Sequence, residues 1–474
     1  MERQEYGADR DSLHAIPLIL ISHRSRPMLY ALDLFYLNAP QTLEFARLEL
    51  HTVFRSLKMP QPARLSFFLA AFLVVSFGST LAYAGPSYGI YDARTMAMGG
   101  ASVASSNNDN AQFYNAALLA FNEEIEEKTE DGRILLPLFI PEFSESVIDI
   151  EEISRDAVPQ SIASSVANYN RLPGADTAQA VVDSSQTLDA YLERLDGEDL
   201  RADLYIGMGV SEPGKFQGAG FFAGARLLAG GTSTIADADR ATLVAYQEGL
   251  SFVASDGLEG EAHPELFDAN GALLNPNSTF ESSASAIGVA ITEVGVAMSK
   301  QFQAFGGEFA AGISFKVLDV EAFEDTERIV DDRISVQQND EPETHINFDI
   351  GVAKQLGERW RLGIAVKDLV PHNYKTSLGT VIRLRPRPRI GISYQLSKLQ
   401  FALDVDAVES KPLGLEQATQ EAAVGTEWAL RETIKLRAGY RHDMLGNRDG
   451  ILSTGVGTRW KRLIFDAAYA QGKD

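Results

Sequence analysis

The chain has 474 residues, 45% hydrophobic and 23% charged, which excludes a wholly disordered protein and leaves room for one large domain or several ordinary ones. A formal net charge of −23 argues against a general nucleic-acid binder, which needs an excess of lysine and arginine to displace counterions. The absence of cysteine excludes disulfides, zinc–cysteine sites, iron–sulfur clusters and thiol catalysis at once.

LSFFLAAFLVVSFGSTLAYA, residues 65–84, is an uncharged apolar run behind Arg55, Lys58 and Arg64, and it ends Ala82-Tyr83-Ala84 before Gly85. Basic, then apolar, then small-x-small is the order of a secretory signal peptide, placed at 59–84 with cleavage after Ala84. The alternative, a transmembrane helix, is weakened by Gly78, Ser79 and Thr80 and by the lack of a basic stop-transfer cluster. Because a signal begins a protein, residues 1–58 are read as an upstream extension and Met59 as the true start.

Residues 85–132 are small and polar with a Gly99-Gly100 break, and close on the acidic EEIEEKTEDG (123–132), read as a solvated loop. RILLPLFIP opens the remainder, 133–474, and predicts a first strand. Residues 160–200, with SIASSVANYN and TLDAYLERL, carry helical spacing and predict a small helical insert. From about residue 202 the period becomes two. LYIGMGV (204–210), FAAGISFKV (309–317), INFDIGV (346–352), LGIAV (362–366), VGTEWAL, IKLRAGY, LSTGVGTRW and LIFDAAYA all alternate apolar with polar. Roughly 13 or 14 such segments recur, many near the ~9–11 residues that cross a bilayer at a tilt. Short links such as Ser397-Lys398, 357–359, 431–432 and 461–462 alternate with long polar stretches at 320–344, 370–388, 408–420 and 441–450. Tight turns on one side and long loops on the other are the habit of a transmembrane β-barrel.

The alternation also says which face is wet. In RPRIGISYQLSKLQFALDVDAV (387–408), Ile390, Ile392, Phe401 and Leu403 share one face and Arg389, Asp404 and Asp406 the other. A single arginine facing lipid near the midplane costs ~2–4 kcal/mol. Several would exhaust the ~5–15 kcal/mol that holds a domain together. The oily face must therefore look outward. Counting back from the Ser397-Lys398 turn sets Arg389 opposite Asp406 as a lumen charge pair. The same parity turns Asp349, Lys367, Glu427, Arg437, Arg459 and Asp466 inward. A closed barrel is the way such strands satisfy their backbone in lipid. Even strand numbers are the rule, and the chain stops after an outbound strand, so one last strand is expected to be missing.

YDARTMAMGGASVASSNNDNAQFYNAALLA resembles the mature N terminus of FadL-like outer-membrane proteins, with its Met-Gly-Gly-Ala turn, Val-Ala pair and Asn-x-Ala before leucine. NFDIGVAKQLGERWRLGIAVKDLVP, RPRIGISYQ, FALDVDAVE, EQATQEAAVGTEW, IKLRAGYRHD and LSTGVGTRW resemble the outer-membrane family labelled conjugal transfer protein TraF. The resemblance implies an all-β barrel of about 14 antiparallel strands, with 85–132 plugging the lumen, that passes hydrophobic molecules. The plug motif then falls on Met98, Gly99, Gly100, Ala101, Asn115 and Ala117, with Ala116 where FadL-like proteins usually carry proline.

Arg383, Arg385, Arg387 and Arg389 share one parity and could form a cationic ladder for anions or lipopolysaccharide phosphate. The plainer alternative is a rim that offsets the acidity, pinned by Pro386 and Pro388. The histidines after residue 85, His263, His345, His372 and His442, fall in loops or at strand ends, and no Gly-x-Ser-x-Gly accompanies them, so a hydrolase is disfavoured. DMLGNRDG (443–450) lacks the spacing of a calcium loop. The expectation is a non-enzymatic outer-membrane barrel without cofactor or metal, in contact with lipid and lipopolysaccharide. It either transports hydrophobic or amphipathic small molecules or docks in an envelope apparatus for conjugation or secretion.

Overall fold

A computed structural model describes residues 87–121, 133–214, 216–256, 263–304, 307–331, 342–411, 413, 417–460 and 463–472. The extension at 1–58, the signal segment with Ala84, the acidic run 123–132 and the 461–462 link lie outside the described residues. Among the described residues, thirteen antiparallel strands form one meandering sheet. They are β1 (Arg133–Phe143), β2 (Asp199–Glu212), β3 (Gln217–Thr234), β4 (Ser283–Ala304), β5 (Gly307–Arg328), β6 (Glu343–Leu356), β7 (Trp360–Lys367), β10 (Arg387–Leu396), β11 (Leu399–Asp406), β12 (Glu421–Arg431), β13 (Ile434–Asp443), β14 (Ile451–Trp460) and β15 (Leu463–Gln471). A separate ribbon joins β8 (His372–Lys375) to β9 (Val381–Leu384). The sheet curls on itself: Glu142 of β1 and Arg441 of β13, near opposite ends of the strand order, meet at 2.9 Å.

The wall is oily outside and polar within. Phe401 and Leu403 are 45% and 41% exposed, whereas Asp404 beside them is 1%. Arg389 stands opposite Asp406, and Leu396 opposite Leu399. The edge of the oily belt is sharp on the long-loop side. Val294, Val317 and Ile346 lie in one cross-strand row, and the next outward row is Thr292, Asp319 and Thr344. There Thr344 Oγ1 donates to Asp319 Oδ1 at 2.8 Å. At the other edge aromatic pairs stand beside the tight turns, Phe302 with Phe309 and Trp360 with Tyr394. Trp428 and Trp460, the other two of the three tryptophans, join them. Aromatic rings along the turn-side end of an apolar band suit a membrane interface.

Two departures from the sequence expectation concern what stands above the belt. The insert begins earlier than residue 160 and holds three helices, α3 (Glu145–Arg155), α4 (Val158–Arg171) and α5 (Ala175–Leu195). A further helix, α6 (Asp237–Asp256), sits between β3 and β4, where alternation was expected to continue. Its buried Leu243, Tyr246, Leu250 and Val253 keep a helical spacing that pairs with α4 and α5. The stretch from 320 was expected to be loop, but β5 runs on to Arg328. Its outward residues become acidic there because the strand has left the lipid, not because it has ended. Among the described residues, no helix is long and apolar enough to cross a membrane.

Candidate functional site

The N-terminal segment 87–121 occupies the inside of the barrel as a plug, carrying α1 (Ala93–Ala97), α2 (Ala111–Tyr114) and a 3-10 turn at Ala116–Ala120. Asp92 starts α1 as its N-cap. Its carboxylate accepts from Thr95 N at 3.0 Å, Thr95 Oγ1 at 2.9 Å, Asn110 Nδ2 at 3.0 Å and Tyr114 Oη at 2.7 Å, so one side chain ties the two helices together. Burial, reinforced by Asp92, pushes the Tyr114 phenol well above its ordinary range, which keeps it a donor. α1 ends where Gly99 and Gly100 take φ of 68° and 94°, a turn that residues with a Cβ resist. Asn115 accepts from Ala117 N at 3.2 Å and donates to Val103 O at 2.8 Å and Val352 O of β6 at 3.2 Å. Met98, Ala101 and Ala117 are fully buried, and Met98 and Ala101 pack on Ala402 and Ala423. Ala116 begins the 3-10 turn under the Asn115 cap, a place proline would also fit.

The wall receives this backbone through inward-facing glycines. A Cβ added at Gly425, Gly439 or Gly363 would collide with main-chain atoms of Met98, Gly99 or Val103, and one at Gly312 with those of Ala116 and Ala117. These positions face one another across the sheet: Gly425 with Gly439, Gly363 with Gly391, and Gly312 with Gly351. Around the girdle the inward charges find partners. Asp404 Oδ2 accepts from the backbone amides of Ser102 and Val103 at 2.7 and 2.8 Å. Arg389 donates to Asp406 at 2.5 Å and Glu421 at 3.1 Å. Lys316 lies 2.9 Å from Asp349 and 2.7 Å from Asp368, and Lys367 donates to Tyr91 Oη at 2.8 Å. Arg94 of the plug and Arg437 of β13 share Glu427 at 2.9 and 2.7 Å, and Arg437 reaches Asp466 at 2.6 Å.

The four arginines of one parity go to different partners. Arg383 is exposed on the ribbon; Arg385 donates to His372 O and Asn373 Oδ1 at 2.8 and 2.7 Å; Arg387 reaches Asp368 and Ser87 O. The histidines are also held locally. His263 contacts Glu265 at 2.8 Å and His372 contacts Glu343 at 2.9 Å, while His345 stacks on His372 and His442 on Tyr440. The Asp92 hub, Arg94 and the glycine girdle escaped the sequence reading. Their signals were present, as an aspartate three residues before a threonine and as glycines recurring on the inward parity.

Above and below the plug the interior differs. Toward the loops, Leu228, Ile287, Val289, Leu318, Val320 and Ala322 turn inward from β3–β5 and are covered by Tyr374, Ile382 and Leu384 of the ribbon and by Leu413. Toward the turns, a polar vestibule of about 520 Å³ opens beneath Arg94 and Ser105–Asp109.

Residues 112–406 match the model of the family described as F plasmid transfer operon, TraF, protein. No curated protein matches the chain. Among solved structures, the toluene transporter TodX of Pseudomonas putida aligns at 11% identity over 80% of this chain and 91% of that one, with a TM-score of 0.37. The CymD monoaromatic hydrocarbon channel aligns at 10% identity over 82% and 99%, with a TM-score of 0.32. The toluene transporter TbuX of Ralstonia pickettii aligns at 11% identity over 81% and 93%, with a TM-score of 0.29. That match spans more than half of the chain, over a plugged barrel with an oily outer face, and places the chain in the family described as F plasmid transfer operon, TraF, protein.

Proposed function

We propose that the protein is an outer-membrane channel for hydrophobic or amphipathic small molecules, held closed in this conformation. The observation that carries the reading is the division of the interior. An inward-facing apolar wall on β3–β5 stands at the loop end, a girdle of buried charges and plug backbone closes the middle, and a polar vestibule lies at the turn end. Apolar side chains turned into a barrel have no use against water, and the ribbon β8–β9 that covers them is a natural entry flap. Passage then requires the plug to leave its glycine seats. The absence of cysteine offers a clean test. Ala101→Cys with Ala423→Cys links the plug to the wall within one buried cluster. Oxidation should stop uptake of labelled toluene or oleate into cells carrying the protein, and reduction should restore it. Equal uptake in both states would reject the reading. Recovery in the outer-membrane fraction with a heat-modifiable band is the accompanying check on location.

A second role, docking in a conjugation or secretion apparatus, is favoured by the helical cap. α3–α6 build two apolar clusters of their own. Co-purification of envelope proteins that is lost when the cap alone is replaced would turn the reading toward docking.

A further inference from the structure

The turn-end vestibule runs against the charge of the whole protein. The chain carries a net −23, yet eight of the side chains lining this cavity are arginine or lysine and four are aspartate or glutamate. Part of the excess is neutralised in place. Glu427 takes Arg94, Arg437 and Lys435, the last at 3.1 Å, and Asp109 takes Arg133 at 3.1 Å. Lys398, Arg431 and Arg459 have no ion-pair partner among the described residues, and all three border the cavity from neighbouring tight turns. Its roof is unfinished as well. Arg94 Nη1 and Ser106 Oγ are buried and lack a hydrogen-bond partner among the described residues, and both residues are at least nine-tenths buried. Buried donors are normally satisfied, so an orphaned guanidinium nitrogen and hydroxyl above a cationic mouth imply a missing acceptor. Field lines also concentrate in a cleft with low-dielectric walls.

We propose that this vestibule binds an anionic solute bearing two or more carboxylate or phosphate groups. One group is held by Arg431, Arg459 and Lys398 at the mouth, and another approaches the plug floor at Arg94 and Ser106. The site lies at the end away from the apolar wall and does not depend on what enters there. The ligand chemistry is that of a free di- or polyanion or of a phosphate-bearing lipid headgroup, and the two sources are separable.

The test uses the full-length protein in detergent. Pyrophosphate and citrate are titrated by calorimetry at low salt, then with bicelles of phosphatidylglycerol or of phosphatidylcholine. Saturable binding that weakens as salt rises is expected. Binding of pyrophosphate in detergent alone identifies a free solute; binding only of phosphatidylglycerol bicelles identifies a headgroup, and either supports the site. Arg431→Gln with Arg459→Gln should weaken it about tenfold or more, ~1.4 kcal/mol by the affinity relation, without moving the heat-modifiable band. Arg383→Gln at the opposite end should change nothing. The inference is overturned if the wild type binds neither probe nor bicelle, or if the double variant binds as the wild type does. It is also overturned if binding emerges only when the glutamates of 123–132 are changed to glutamine, because the occupant is then the chain's own acidic segment.

Discussion

Apolar clusters hold both the plug and the cap, but the plug alone is also tied to the wall through a buried polar network. The plug packs an aromatic cluster, Tyr88, Tyr91, Phe113 and Tyr114, against Tyr205 and Phe222 of the wall, and adds to it hydrogen bonds and buried charges on the surrounding strands. The cap is mostly side-chain volume, with Ile162, Leu188, Leu192 and Leu243 of three helices in one apolar cluster and Tyr169, Val181 and Leu250 in another. A polar network tolerates no missing member, since each orphaned group then pays its full desolvation cost. An apolar cluster loses stability in proportion to what is removed. The contrast predicts that the plug fails as a unit with the barrel, and that the cap weakens by degrees and apart from it.

The largest effect is expected at the girdle. Gly439→Val places carbon where the main chain of Met98 and Gly99 already lies, and backbone cannot swing aside as a long side chain can. The cost should exceed ~4 kcal/mol, and the folded, heat-modifiable band should be lost. A Gly439→Val barrel that still ran as folded would mean the plug is not seated on the wall.

Next comes Asp406→Ala. It strips Arg389, 2% exposed, of its nearest partner and leaves Glu421 at 3.1 Å. Removing one member of a buried pair costs ~3–5 kcal/mol, and the surviving contact argues for the lower end. Exchange of both members, Arg389→Met with Asp406→Leu, should recover most of that loss in a urea titration. If the double variant is no better than the single, charge pairing is not what holds this part of the wall.

Leu192→Ala probes the other side of the contrast. The side chain is fully buried between cap helices, so ~2–5 kcal/mol of cap stability should go. The readout is protease cutting within α4–α6 at a lower temperature, with the barrel band unmoved. Simultaneous loss of both would show that cap and barrel unfold together.

Much of the barrel could be read from the chain because a wall between lipid and a polar interior imposes a period of two on every strand. Arg389, Asp406 and Asp404 are placed by parity alone, and the turn at Ser397-Lys398 fixes their register. Where the lipid stops, the constraint stops. β5 continues past Val317 with Asp319 and Glu321 facing out, so sequence that is strand there reads as loop. α6 was hidden because its apolar residues serve a neighbouring helix pair and not the sheet. The plug motif was visible as Met98–Ala101, yet its partners were not. Asp92 closes a hub with Asn110 and Tyr114, and contacts of that kind carry no fixed spacing.

The smallest effect belongs to the arginine with the most carboxylates around it. Arg155, on α3, lies 3.1 Å from Glu151, 3.8 Å from Glu152 and 3.3 Å from Asp156. Arg94 has one carboxylate partner among the described residues, Glu427 at 2.9 Å. Counting partners would rank Arg155 first. Solvent reverses the order, because its side chain is 57% exposed while that of Arg94 is 3% exposed. Water and salt screen an exposed pair to well under ~1 kcal/mol, and ordering a long side chain offsets part of that. Arg155→Ala should therefore leave the urea midpoints of cap and barrel almost unmoved. Arg94→Ala leaves Glu427 buried with Arg437 and Lys435, and should cost several times as much while loosening the plug. Equal effects from the two variants would remove burial as the quantity that separates plug from cap.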